Sequence, residues 1–541
     1  MNRRFYFLVL PALLFVFGLE VCAQETNEKT DRNAGGYGEL ITLFEEFREF
    51  QRPKQIDGVA DYTAPAMVEQ FKKVQGYQQR LSAIDVADWP IAQQVDYHVV
   101  RAEMNGLEFE HRVRRPWARD PSFYLFSAAG AGPTADGRPR IPDLPMSRAD
   151  AVAFKAQLQS VSHLLQQARE NLSEASGDLA RFAIHFLDAE VAIYRGLADQ
   201  VSEHHPELIS DVETAIGAVK DYGTWLEANL STMSAPAGIG KENYNWWLKN
   251  VHLVPYTWDE LYASLTREYE HSVGALKIVE HRNRDLPPLK LVSSADEYTR
   301  RWRNDEQYIL NFIQKNELFT VPDYYTEYNI DQWWNSEERN GAQDFFEQCR
   351  DRDMLAEIAH NALGHHIDGM MLRRDDRPIR GQTRLYDIDM IRNEGMAFGL
   401  EEVFLHAGIY EERPRAEEIN LIAKAFRAVR GLADLNIHSN AFTLSDALEF
   451  CYEETPYHWM IKEGHEVWFE MQTTTRAPGW HMGMVLGRIQ IMNLIGDAAK
   501  VRGDDFVLGE FLDEYRAVGM VPIALIRWEM TGLDDEIKKL W

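Results

Sequence analysis

The densest run of side chains able to do chemistry begins at Asp353, in DMLAEIAHNALGHHIDGMM, where His360, His365 and His366 fall within seven residues. About 28 residues further on, RNEGMAFGLEEVFLH carries Glu394, Glu401, Glu402 and His406. Two imidazoles from one helix and a carboxylate from a following helix make the ligand set of a catalytic zinc site, with a fourth position left for water. Cysteine offers no alternative. The chain has three, and Cys22 lies in the N-terminal leader, which leaves Cys349 and Cys451.

The spacing sets a condition on that reading. In the HExxH arrangement the two histidines are four residues apart, about 40° around the helix, so both nitrogens reach one ion. His365 is five residues from His360, about 140° around a regular α-helix, and His366 is six residues away, about 240°. A one-residue π-bulge at Gly364 brings His365 onto the face of His360. The expected ligands are therefore His360, His365 or His366, and Glu394, with zinc as the expected ion. Without the bulge the same histidines are surface or hydrogen-bonded side chains that hold no metal.

Between the two segments runs a loop with Arg373, Arg374, Arg377, Arg380, Arg384 and Arg392. Arg380 and Arg384, together with Arg488, are candidates to clamp a substrate carboxylate or sulfate. The alternative is that the loop arginines pair with Asp375, Asp376, Asp387 and Asp389. Trp246-Trp247 and Trp333-Trp334 fit either a peptide- or sugar-binding groove or core packing.

The elements that must position these residues are helical. Apolar residues recur three and four apart from Tyr37 to about Leu125, as in Leu40, Leu43, Phe44 and Phe47. A Gly/Pro-rich break covers Ser127 to Pro145. Ser147, three residues before Asp150, opens another helical stretch, which ends near Met233. A second break, SAPAGIG, follows at Ser234 to Gly240. Alternating strand patterns and Asn-Gly or Asp-Gly turns are scarce. The expected fold is a mainly α, large helical, two-lobed one with a central cleft, the lobes spanning 37–235 and 236–541.

A 45% hydrophobic fraction with 14 Trp, 22 Tyr and 26 Phe supports a large core. The net charge of −28 excludes a nucleic-acid partner, because phosphates are repelled by most of such a surface. Arg3 and Arg4 precede an apolar run from Phe5 to Leu19 and then Val21-Cys22-Ala23, the pattern of a signal peptide over 1–23, with a polar leader over 24–36. Glu20 and Val21 suit a lipid-anchoring cysteine poorly. Later stretches lack the roughly 18 apolar residues of a membrane helix. A soluble periplasmic or secreted product is expected, with no membrane insertion after cleavage.

Three motifs in order carry a family resemblance: HNALGHH at His360–His366, EGMAFGLE at Glu394–Glu401 and PGWHMGMVLG at Pro478–Gly487. The chain resembles the domain-of-unknown-function 885 family, which shows HEAxPGHH, EGWALYAE and PGQAxxYxxG there and looks related to zinc peptidases of the oligopeptidase and angiotensin-converting-enzyme group. The resemblance implies a metallopeptidase scaffold acting on a peptide or another small amide. It also exposes three departures. Asn361 stands where the family has the glutamate that takes a proton from the attacking water. One residue is missing between the histidines. Met484 replaces a tyrosine that stabilises the oxyanion. Glu357, four residues before Asn361 on the same helix face, Glu401 and His481 are the candidates to compensate. The expected function is an exported metal-binding hydrolase with weak or altered activity; the alternative is a pseudoenzyme that uses the cleft to bind a ligand or partner.

Overall fold

The computed structural model describes residues 36–540 apart from 57, 127–131, 138, 141–142 and 331–343. The signal-peptide segment, Trp333-Trp334 and part of the first Gly/Pro-rich break lie outside the described residues. The chain is 71% helix with almost no strand, so the mainly α expectation stands. The one ladder among the described residues joins Gln55–Ile56 to Val59–Ala60. Local chemistry accounts for many of the helix starts. Ser147 accepts from the Asp150 backbone N–H, as its spacing predicts, and Thr257 forms a full capping box with Glu260. Among the described residues no helix is long and apolar enough to cross a membrane.

Two compact units divide the chain: residues up to Trp89 with Leu107–Ala237, and Pro90–Gly106 with Gly238 onward. The first is built on helices such as Arg148–Asn171 and Ile209–Asn229, which bury Phe154, Leu158, Val212, Ile216 and Tyr222 in one core. The second break in the sequence falls at the changeover between the units. The assignment of Pro90–Gly106 to the second unit was not legible in the sequence. Within that unit, Arg380 donates to the Asp96 carboxylate at 2.7 Å, and Asn105 donates to the Asn250 carbonyl at 3.0 Å. Helical periodicity says that a face is buried, not which core receives it.

In the second unit, small residues bring three segments to backbone contact. A Cβ on Gly395, in the helix Met390–Ala407, would stand 2.5 Å from Gly487 Cα in the helix Trp480–Arg502. A Cβ on Gly364 would stand 2.8 Å from Ala397 Cα. Beside them the helix Pro414–His438 is buried along most of its length and carries Arg427, Arg430 and Asp434 inward. Charges on such a helix are tolerable only if each meets a partner, and these partners turn out to hold the candidate site together.

The close crossing makes a testable contrast. Gly395→Ala should destabilise the protein by about 1–3 kcal/mol through overpacking. Gly274→Ala, on the exposed side of the helix Trp258–Asn283 with nothing within 4 Å of the added Cβ, should stabilise by about 0.5–1 kcal/mol. Urea unfolding of both variants checks this; equal effects would mean that the 390–407 and 480–502 helices do not cross as closely as described.

Candidate metal centre

The segment Ile358–His366 is a π-helix. With i→i+5 hydrogen bonding, residues five apart stand nearly above one another, so His365 comes round to His360, as the spacing demands. The flush contact of Gly364 on Ala397 places this segment directly against the helix that bears Glu394. The Nε2 atoms of His360 and His365 are 3.2 Å apart, and Glu394 Oε2 lies 3.6 Å from each. The point equidistant from these three atoms is about 2.0 Å from every one, matching Zn–N and Zn–O bonds of about 2.0–2.2 Å.

Hydrogen bonds behind the imidazoles fix their tautomers. His360 Nδ1 lies 3.1 Å from Glu401 Oε1, which can only accept, and 3.3 Å from Arg427 Nη2, which can only donate; the shorter contact is made when this nitrogen carries the hydrogen. His365 Nδ1 likewise donates to Asn393 Oδ1 at 3.0 Å. Both Nε2 lone pairs therefore point into the triangle, toward a carboxylate oxygen that is buried and has no hydrogen-bond partner among the described residues. Three acceptors converge with no donor between them. A proton relieves this only in part, and a cation relieves it fully. The electrostatics reflect the same strain: burial opposes charge on both groups, yet Glu394 draws the His365 imidazole upward and the imidazoles hold the Glu394 carboxyl well below its usual range. The residues fit a divalent metal.

Glu401 is fully buried and gripped on both oxygens by Arg427, at 2.6 and 3.1 Å. It is a positioning group for His360, not a spare base. It falls seven residues after Glu394, two helical turns on the same face, so its place beside the ligand carboxylate was readable; Arg427 and Asn393 carried no such signal.

Other predicted residues are placed differently. His366 does not join the cluster: its Nε2 meets the Thr326 carbonyl at 2.9 Å, and its ring packs on Tyr325 and Tyr328. It is one residue past the π-turn register and so faces away from His360. His481 is buried with both nitrogens engaged, Nε2 on Glu470 at 2.7 Å and Nδ1 on Thr474 Oγ1 at 2.5 Å. Arg430 in turn pairs with Glu470 and reaches the Met484 sulfur at 3.6 Å. Glu357 accepts from the Asn361 amide at 3.3 Å and stands 3.6 Å from Arg350.

The three arginines proposed as a substrate clamp are occupied within the chain. Arg380 is buried against Asp96 and Glu529, Arg384 bonds the Ile379 and Gln382 carbonyls, and Arg488 pairs with Glu268. Arg377 pairs with Asp375 and Arg392 with Asp368, so two more of the loop arginines are matched by nearby carboxylates. Trp247 is core, its indole N–H donating to the Pro478 carbonyl.

The third motif is held by a residue that no motif contains. Asp434 accepts from the backbone N–H groups of Gly479, His481 and Met482 and from the Tyr244 hydroxyl, closing the start of the 480–502 helix. Burial pushes its pKa up to about 7 against those bonds. Gly479, at φ 86°, supplies the left-handed turn that enters the helix.

Fold and site thus define a class: a mainly helical protein with a largely buried two-histidine, one-carboxylate cluster of metal-ligand type. The chain belongs to the family of bacterial proteins of unknown function DUF885, which it matches over residues 51–318 and 324–530. Two solved structures share the fold. One is a candidate lipoprotein of unknown function from Shewanella oneidensis, at 15% identity and TM-score 0.71, covering 92% of this chain and 100% of that one. The other is a candidate lipoprotein from Colwellia psychrerythraea, at 16% identity and TM-score 0.68, covering 92% and 99%. No curated protein matches.

The Glu470 pair gives a pH signature. Burial would raise its carboxyl, but Arg430 and His481 hold it down to about 2 from 4.5. A lowered carboxylate pKa stabilises the fold above the unfolded value, and that contribution is lost as pH falls toward 2. Glu470→Gln should therefore cost about 3–5 kcal/mol near neutrality, because it leaves a buried guanidinium unpaired. The gap in melting temperature from wild type should shrink between pH 4.5 and 2; a gap independent of pH would refute the pairing.

Proposed function

We propose that this protein is an exported, divalent-metal-binding protein of hydrolase type, with zinc held by His360, His365 and Glu394. Its activity on peptides or other small amides is weak or altered. The observation that carries this reading is the convergence of three acceptor atoms, on the buried His360 and Glu394 and the half-buried His365, at the spacing of a metal's ligands, each imidazole oriented from behind. Nitrogen and carboxylate ligands in this number suit zinc. A divalent ion at this point supplies Lewis-acid polarisation of a carbonyl and acidifies water.

The chain's own residues then divide the remaining tasks. Glu401 and Arg427 fix His360, and Asn393 fixes His365. Asn361 can orient a polar group but cannot accept a proton at useful pH. Glu357, hydrogen-bonded to Asn361, is the carboxylate available to take one. A second reading, a protein that binds a ligand or partner at this site without turnover, is favoured by the replacement of the base by Asn361 and by Met484 at the oxyanion position. The charged and apolar N-terminal run, together with the description of both solved relatives as candidate lipoproteins, supports a place outside the cytoplasm, periplasmic or secreted.

Protein purified without a histidine tag should carry one metal per chain by elemental analysis, and zinc should raise the melting temperature of the stripped protein. His360→Ala should abolish both effects, and Glu401→Gln should weaken zinc binding about 10–100-fold. No stoichiometric metal, with no thermal response to zinc, would end the proposal.

Turnover of unmodified peptides should be slight even with zinc bound. General acid–base assistance is worth about 10²–10⁴-fold and an oxyanion donor about 10²–10³-fold, and both positions are altered here. Robust cleavage of a peptide library that disappears in His360→Ala would overturn this expectation, and loss of kcat in Glu357→Gln with metal retained would identify the replacement base.

A further inference from the structure

A second feature of the Gly238-onward unit lies apart from the three ligand side chains. A cavity of about 330 Å³ is lined by four arginines, Arg301, Arg350, Arg352 and Arg413, by two aspartates, Asp305 and Asp353, and by Asn304 and Met354. Four positive charges against two negative ones give the wall an excess of two, in a chain whose net charge is −28.

The guanidinium groups are not loose surface side chains. Glu297 grips Arg301 at 2.6 Å, and Arg301 also donates to the Lys290 carbonyl at 2.7 Å. Arg352 donates to Gln348 Oε1 at 2.7 Å and lies 4.6 Å over the Trp459 ring. Arg350 faces Glu357 at 3.6 Å. None of these partners lines the cavity, so three arginines are oriented by groups behind the wall. Arg413 alone is held by the wall's own carboxylates, Asp305 at 2.7 Å and Asp353 at 3.7 Å.

A guanidinium has five N–H donors in a planar fork; Arg301 meets the Lys290 and Leu291 carbonyls and Glu297, and Arg352 the carbonyl and side-chain oxygens of Gln348, which leaves donors over on both. Half-buried side chains of this kind, pre-oriented around a concave volume, cost little further ordering when an oxyanion arrives, and the partly desolvated setting strengthens the bidentate contacts they make. A volume of about 330 Å³ is at the small end of ligand sites.

We propose that this cavity is a binding site for a small oxyanion-bearing molecule, recognised through a carboxylate or phosphoryl group by Arg301, Arg352 and Arg413. The site does not depend on the metal reading. Its wall includes Asp353 and Met354, which lead into the segment that bears His360 and His365, and Arg350, which faces Glu357; none of these three is varied in the test.

Calorimetric titration of the full mature protein with inorganic phosphate, and separately with citrate, should show one site for at least one of them. Arg352→Gln and Arg301→Gln should each weaken it about tenfold or more, while Lys500→Gln, a change of equal charge at an exposed residue outside the cavity lining, should not. Tighter citrate binding assigns a carboxylate ligand, and tighter phosphate binding a phosphoryl one. Phenylglyoxal labelling mapped by mass spectrometry tests the same point without a variant: the bound anion should shield Arg301 and Arg352. Neither heat nor a thermal shift with either anion up to about 10 mM, binding unchanged in both arginine variants, or labelling of both arginines unaffected by the anion would each overturn the proposal.

Discussion

Glu401 has no exposed surface; Arg427 bonds both its oxygens and His360 Nδ1 lies 3.1 Å from one of them. An isolated buried charge would cost several kcal/mol and would neutralise instead. This one ionic contact ties the buried 414–438 helix to the 390–407 helix and to the π-segment. It also sets which nitrogen of His360 faces the cluster. The same logic repeats along the 414–438 helix, where Arg430 meets Glu470 and Asp434 closes the start of the 480–502 helix.

Such contacts need the helices to approach closely, and the small residues supply the approach. Gly395 against Gly487, and Gly364 against Ala397, bring backbones so close that a Cβ on any of the three glycines would collide. The glycines thereby do two jobs. Gly364 lets the π-segment sit flush, and the π-turn is what converts a five-residue spacing into a shared face. A regular α-helix in the same place would leave His365 pointing elsewhere, and Glu394 would face a single imidazole.

Arginine is used in two ways in this acidic chain. Arg380, Arg392, Arg427 and Arg430 are buried and matched to carboxylates, where they hold elements together. Around the 330 Å³ cavity, Arg301 and Arg352 are held from behind with donors to spare. The distinction depends on what stands opposite each guanidinium, and neighbouring aspartates along the chain are a poor guide to it: Arg380, four residues from Asp376, pairs with Asp96 and Glu529 instead.

Much of the local structure was legible in the sequence because it depends on near neighbours. Helical periodicity, the Ser147 cap, His360 and Glu394 as candidate ligands, and the need for a π-turn between His360 and His365 all follow from residues a few positions apart. Glu401 was visible as a carboxylate on the ligand helix, but its role was not. The choice between His365 and His366, the locking of His481 by Glu470 and Thr474, and the clustering of Arg301, Arg352 and Arg413 were decided by tertiary structure. So was the assignment of Pro90–Gly106 to the second unit. Each of these depends on which group satisfies a buried charge or fills a buried face, and that choice is made by packing between different helices and loops, where spacing along the chain carries no signal.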